Sequence, residues 1–204
     1  MQKLKYDNIA ISGLIGTGTT TLYEGLRSVF PKWKYFSGGL YMREYAIKHK
    51  LFDPNNKGHH LATCYGDEFD RKADFGMRKD LGEKKYLVIE SWLCGFMAQG
   101  LPKVLKVLLI SDDALRIDRI VNRDGLAVEE AKMHIRDREN ENLKKWIRMY
   151  SKEWNEWVVK PGIIKPDEPI YFWDSRLYDL VIDTYSHSKE ETLDLVLKAL
   201  GMLD

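Results

Sequence analysis

Ser12-Gly13-Leu14-Ile15-Gly16-Thr17-Gly18-Thr19-Thr20-Thr21 follows a short apolar run and opens a helical pattern. Gly13 and Gly18 stand at the spacing of a phosphate-cradling P-loop, with Thr19 where that motif has its lysine. Such a loop works in two layers: glycines let backbone N–H groups crowd a polyphosphate, and the lysine adds a point charge beside the β and γ oxygens. Here the first layer is complete and the second is missing. Gly16 adds freedom at positive φ, Thr17 and Thr21 complete the polar lining, and Thr20 occupies the Mg²⁺-binding hydroxyl position. An ordinary glycine-rich turn would not need the context this one has. Asn8-Ile9-Ala10-Ile11 reads as a buried strand before it, and Leu22, Leu26 and Val29 recur at helical spacing after it, up to Pro31. A helix N-terminus aimed at the loop adds partial positive charge and free N–H donors.

The 204 residues fit one α/β domain. Lys plus Arg number 32 against 31 for Asp plus Glu, so there is no global basic field and no nucleic-acid partner is expected. Cys64 and Cys94 lack metal or redox spacing and read as reduced thiols; His59-His60 reads as a solvated loop, and no structural metal is assigned. Met1-Gln2-Lys3-Leu4-Lys5 lacks an apolar signal core and no run approaches membrane-spanning length, so the expectation is a cytoplasmic protein with no membrane partner.

Five apolar runs predict strands: Asn8 to Ser12, Trp33 to Ser37, Tyr86 to Glu90, Val104 to Ile110 and Tyr178 to Thr184. Helical segments separate them, which predicts a parallel sheet covered on both faces, with ligands at the carboxyl ends of its strands. The last helix opens on a capping box, Ser188 and Glu191, and sets Leu193, Val196, Leu197 and Leu200 on one face. Ala127 to Tyr150 is a long charged helical pattern in which Arg138, Asn142 and Lys145 share a face. That face reads either as a phosphate-closing surface or as a solvated one. Ser151 to Ser175 mixes Trp154, Trp157, Tyr171, Phe172 and Trp173 with three prolines. Its aromatics would pack on the core, on a partner subunit or over a base, and the large area they bury favours packing.

In this order and spacing the motifs resemble the short archaeal-type cytidylate kinases among the nucleoside monophosphate kinases, over nearly the whole chain. The residues that carry the resemblance after the loop are Ser37-Gly38-Gly39, Arg43-Glu44, Asp70-Arg71 with Asp74, and Val88-Ile89-Glu90 with Leu93 and Gly95. Arg116, Arg119, Arg123 and Gly125 continue it, then Val128-Glu129-Glu130-Ala131, Arg138-Glu139 and Tyr178-Asp179-Leu180-Val181-Ile182-Asp183-Thr184. The resemblance implies a P-loop NTPase fold in one domain, 1–204, with an acceptor-binding helical segment at 38–85 and a lid plus aromatic-rich insertion at 126–176.

It further implies transfer of the γ-phosphoryl group of ATP, with Mg²⁺, to a pyrimidine, CMP-like nucleoside monophosphate. Gly13 to Thr21 would hold the donor phosphates, and Thr20 and Glu90 would serve the metal. Arg119, Arg123, Arg138 and Lys145 would neutralise charge during transfer. Ser37, Gly39, Arg43, Asp70, Arg71, Asp74 and Trp92 would face the acceptor. Partners would be small nucleotides, and the protein a monomer or homodimer.

The departures are Thr19 for the loop lysine, Leu40 for an acidic residue, Trp92 for an arginine and Lys145 for a lid arginine. Leu40 and Trp92 fall on the acceptor side, where an arginine's directional donors have given way to a flat apolar face. They leave open two other readings: a nucleotide-binding protein with impaired catalysis, and a kinase for another small phosphorylated acceptor.

Overall fold

A computed structural model describes residues 4–51 and 64–203; the His59-His60 pair lies outside the described residues. Five parallel strands form one sheet in the order β2-β3-β1-β4-β5. They are β1 (Asn8–Gly13), β2 (Lys34–Ser37), β3 (Leu87–Glu90), β4 (Val104–Ile110) and β5 (Leu180–Asp183). Around them run α1 (Thr19–Val29), α2 (Gly38–Lys48), α3 (Asp67–Glu83), the short α4 (Cys94–Met97), α5 (Asp113–Asp124), α6 (Val128–Trp154) and α7 (Lys189–Ala199). No helix among the described residues is long and apolar enough to cross a membrane.

The central strand explains the sheet's two covered faces. Side chains alternate along β1, so Ile9 and Ile11 pack with Leu22, Leu26 and Val196, whereas Ala10 packs with Met77 and Leu81 of α3. All of β1 is buried. Each strand lies where the apolar runs put it: β4 has the expected bounds, β1 runs on to Gly13, and β2, β3 and β5 are shorter. Tyr86 adopts φ 59° and so leaves the extended run before β3 begins. Tyr178 is spent on the preceding segment, its hydroxyl donating to the Phe172 carbonyl. In α1 the buried positions are Leu22, Tyr23 and Leu26; Val29, expected on the core face, is 38% exposed because the helix stops there and the chain turns at Phe30. The capping box of α7 forms as read, Ser188 Oγ accepting from the Glu191 amide and Glu191 accepting from the Ser188 amide.

The charged helix runs further than its pattern, to Trp154, and continues as a π-helical turn, Asn155–Val159. The aromatic segment after it packs on the core. Trp154, Phe172 and Trp173 are buried with Phe96, Tyr150 and Leu108, and the Phe96 and Phe172 rings meet edge to face at 4.8 Å. Cys94 is buried and Cys64 exposed, both as free thiols. Burial pushes the Cys94 thiol up to about 12, so it is inert as a nucleophile.

One buried polar side chain closes the strand-entry end of the sheet. Asn8 donates to the Leu81 and Lys84 carbonyls at 2.8 and 2.7 Å and accepts from the Leu87 amide at 3.1 Å, joining β1, the end of α3 and β3. Asn8→Ala strips these buried backbone groups of their partners, and chemical denaturation should show a loss of about 2–3 kcal/mol; a loss under about 0.5 kcal/mol would mean that water replaces the amide.

Candidate active site

The turn from β1 to α1 is built so that its carbonyls, not its amides, are used up by protein. Thr17 Oγ1 donates to Leu14 O at 2.8 Å, Arg116 Nε to Ile15 O at 2.8 Å, Arg119 Nη1 to Gly16 O at 2.9 Å and Thr184 Oγ1 to Thr17 O at 3.0 Å. The Leu22 amide then donates to Gly18 O at 3.1 Å, as helical continuation requires. The Thr17 amide bonds Leu14 O; among the described residues no protein acceptor is recorded for the amides of Ile15, Gly16 and Gly18. Gly16 and Gly18 sit at φ 83° and 92°, open to glycine at little cost. A Cβ on Gly13 would come within 2.4 Å of Thr17 Oγ1 and 2.9 Å of Leu109 O, so this position admits no side chain. Backbone donors left over at a helix N-terminus make an anion cradle.

A cavity of about 660 Å³ opens from this cradle. Its wall gathers Gly16, Gly18, Thr19, Thr20 and Thr21 from the loop side, and Ser37, Gly39, Arg43, Asp70, Asp74 and Trp92, expected to face the acceptor, from the other. Glu90, Arg119, Arg123 and Arg138 share it. Four expected site residues do not line it. Gly13 and Thr17 lie behind the loop, where they set its shape. Arg71 donates to the Met149 carbonyl and ion-pairs with Glu153, joining α3 to α6. Lys145, although on the same helix as Arg138 and Asn142, is buried against Asp70 at 2.7 Å and donates to Tyr65 O at 2.8 Å. The shared face of α6 thus splits, with Arg138 and Asn142 reaching the cavity and Lys145 clamping α3.

The wall also contains residues that the sequence reading did not single out as site residues. His187, Lys189 and Thr192 come from the start of α7, Tyr65 from just before α3 and Trp146 from α6. The first three carried one signal, their position just after the β5 strand end. Trp92 is held edge-on by Trp146 and Trp173, with ring centres at 5.6 and 5.8 Å, and its carbonyl accepts from Trp173 Nε1. Leu40 is 56% exposed.

Burial dominates the electrostatics. The Arg138 guanidinium lies 4.9 Å from the centre of the Trp92 ring, and burial with Arg123 nearby pushes its pKa down to about 10. Its buried Nε has no hydrogen-bond partner among the described residues. Asp74, which accepts from the Tyr150 hydroxyl at 2.5 Å, is pushed up to about 7 by burial, against the pull of that bond, Lys145 and Arg71. Glu90 is buried, with Oε1 accepting from Thr19 Oγ1 and Oε2 from Ser37 Oγ, both at 2.8 Å. One exposed hydroxyl, Thr20, and one carboxylate at a phosphate cradle suit Mg²⁺, which keeps most of its waters and takes few protein ligands.

The raised Asp74 pKa has a stability consequence of fixed sign. The folded state keeps a proton that the unfolded chain releases near pH 4, so stability is greatest below pH 4 on this account and is lost as pH rises towards 7. Relative to Asp74→Asn, the wild type should lose about 3 kcal/mol between pH 4 and 7 in denaturant titrations. Parallel profiles for the two proteins would show that Asp74 is ionised when folded.

The comparisons agree with this geometry. The model of the cytidylate kinase-like family matches residues 43–186. The cytidylate kinase of Pyrococcus furiosus (strain ATCC 43587 / DSM 3638 / JCM 8422 / Vc1) is 31% identical over 199 residues, covering 96% of this chain and 89% of its own. That of Pyrococcus abyssi (strain GE5 / Orsay) is 30% identical over 196 residues, covering 96% and 94%. In fold the chain is similar to a shikimate kinase from Bacteroides thetaiotaomicron, with a TM-score of 0.53, 13% identity and coverage of 96% of this chain and 98% of that one. A P-loop kinase fold, a backbone cradle at its strand ends and this similarity along nearly the full length converge: the chain belongs to the cytidylate kinase-like family.

Proposed function

We propose that the protein transfers the γ-phosphoryl group of ATP to a pyrimidine nucleoside monophosphate of the CMP type. The observation that carries this reading is Arg138: a buried guanidinium in the cavity wall, over the Trp92 ring, with a donor nitrogen that has no hydrogen-bond partner among the described residues. A buried unpaired donor is costly, and an anion in the cavity removes that cost.

In this reading the amides of Gly16 and Gly18 hold the donor phosphates. Arg119, pinned to Gly16 O and to both oxygens of Thr184, keeps the loop in register with β5. Arg138 and Arg123 carry positive charge to the transferred group, taking over the task of the absent loop lysine. Lys145 serves instead to hold α3, through Asp70. Arg43, Ser37 and Gly39 hold the acceptor, with Asp70, Asp74 and Trp92 in the wall beside it. Thr20 and Glu90 would hold Mg²⁺, which supplies charge neutralisation across the phosphates. An acceptor phosphate is already ionised at neutral pH, so no residue must remove a proton. Catalysis then rests on placement and charge alone. A cytoplasmic setting, where ATP and nucleoside monophosphates are available, belongs to the same reading.

A coupled assay of ATP consumption across CMP, UMP, AMP and dCMP should show turnover with CMP foremost. Arg138→Ala should lower kcat/KM by roughly 10²-fold or more, and Thr20→Ala should weaken the response to Mg²⁺. Thermal-shift measurements separate the rivals, since a ligand of the folded state raises apparent stability. Binding of both ATP and CMP without turnover would establish impaired catalysis, and stabilisation by ATP but by no monophosphate would establish a different acceptor.

A further inference from the structure

Glu90 stands where β2 and β3 end together beside β1. It is the last residue of β3, in register with Ile11 of β1 on one side and Ser37 of β2 on the other. Its two oxygens are divided: Oε1 takes the hydroxyl of Thr19, the first residue of α1, and Oε2 takes that of Ser37. Ser37 is in turn the N-cap of α2, its Oγ accepting from the Leu40 amide at 3.3 Å. A continuous path of hydrogen bonds therefore runs from the phosphate loop through one carboxylate to the helix that carries Arg43. The contact beneath it is tight, since a Cβ on Gly38 would come within 2.9 Å of the Ser91 side chain.

We propose that Thr19 is a positioning residue that couples the two halves of the cavity: through Glu90 and Ser37, the state of the phosphate loop sets the seating of α2. This deepens the functional reading above and rests on it for the identity of the ligands. A lysine at position 19 would direct its charge toward the phosphates; a threonine of this length spends its hydroxyl on Glu90. Both ligands then act on one shared carboxylate, which couples their affinities, and linkage makes the coupling reciprocal: whatever factor the donor adds to acceptor binding, the acceptor adds to donor binding.

The test has two readouts on full-length protein. In the ligand-free state, hydrogen exchange is measured at Gly39 and Leu40 in wild type, Thr19→Val, Thr19→Ser and Ser37→Ala. Thr19→Val should speed exchange at these α2 amides several-fold while leaving α7 unchanged, and Thr19→Ser should restore the wild-type rate. Second, CMP affinity is measured with and without the β,γ-imido analogue of ATP and Mg²⁺. Wild type should gain about fivefold or more in CMP affinity, Thr19→Val and Ser37→Ala should each lose that gain, and the double variant should lose no more than either. Unchanged α2 exchange in a folded Thr19→Val overturns the coupling. Altered exchange with rescue by serine, in a protein that binds neither nucleotide, supports the path and sinks the kinase reading instead.

Discussion

At the carboxyl end of β1 the chain has no spare volume, and the cavity's chemistry follows from that. Gly13 is hemmed in by Thr17 and the Leu109 carbonyl, and a Cβ on Gly16 would come within 2.9 Å of the Arg116 carbonyl. Arg116 is itself locked, with Nε on Ile15 O and its guanidinium paired to Asp113 and Glu139. With carbonyls from Leu14 to Gly18 all held by protein donors, the turn can present its amides to the cavity without further cost. Preorganisation of this kind makes anion binding effective, because the donors need no rearrangement when the ligand arrives.

Around that fixed turn the charges are arranged by burial more than by number. The net charge is only +1, yet the cavity wall carries Arg43, Arg119, Arg123 and Arg138. Two acids on the wall opposite the loop are restrained differently. Asp70 has Lys145 beside it at 2.7 Å, and Asp74 is driven toward its neutral form by burial. The loop end of the cavity is therefore cationic, and the opposite side combines cation, acid and aromatic surface.

Much of this was legible in the chain. The glycine spacing, the five apolar runs and the α7 capping box each rest on local rules, and local rules suffice when a backbone conformation or a period-two face is at stake. The helix face of Arg138, Asn142 and Lys145 shows where such rules stop. Periodicity gives the shared side of the helix, but only the position of Asp70 on α3 decides that Lys145 turns away from the cavity. Arg71 is a similar case: its partners, Met149 and Glu153, lie far along the chain. Nothing near Trp92 in sequence announces that Trp146 and Trp173 will hold it edge-on beneath an arginine.

The sequence by itself determined a parallel α/β sheet with an anion cradle after its first strand, because a glycine pattern and alternating apolar runs act over a few residues. Only the tertiary structure decided what the missing lysine's replacement does. Thr19 and Ser37 are far apart in the chain and meet on Glu90 because parallel strands in register end at the same edge, and a hydrogen bond of 2.8 Å depends on that register rather than on any neighbour in sequence.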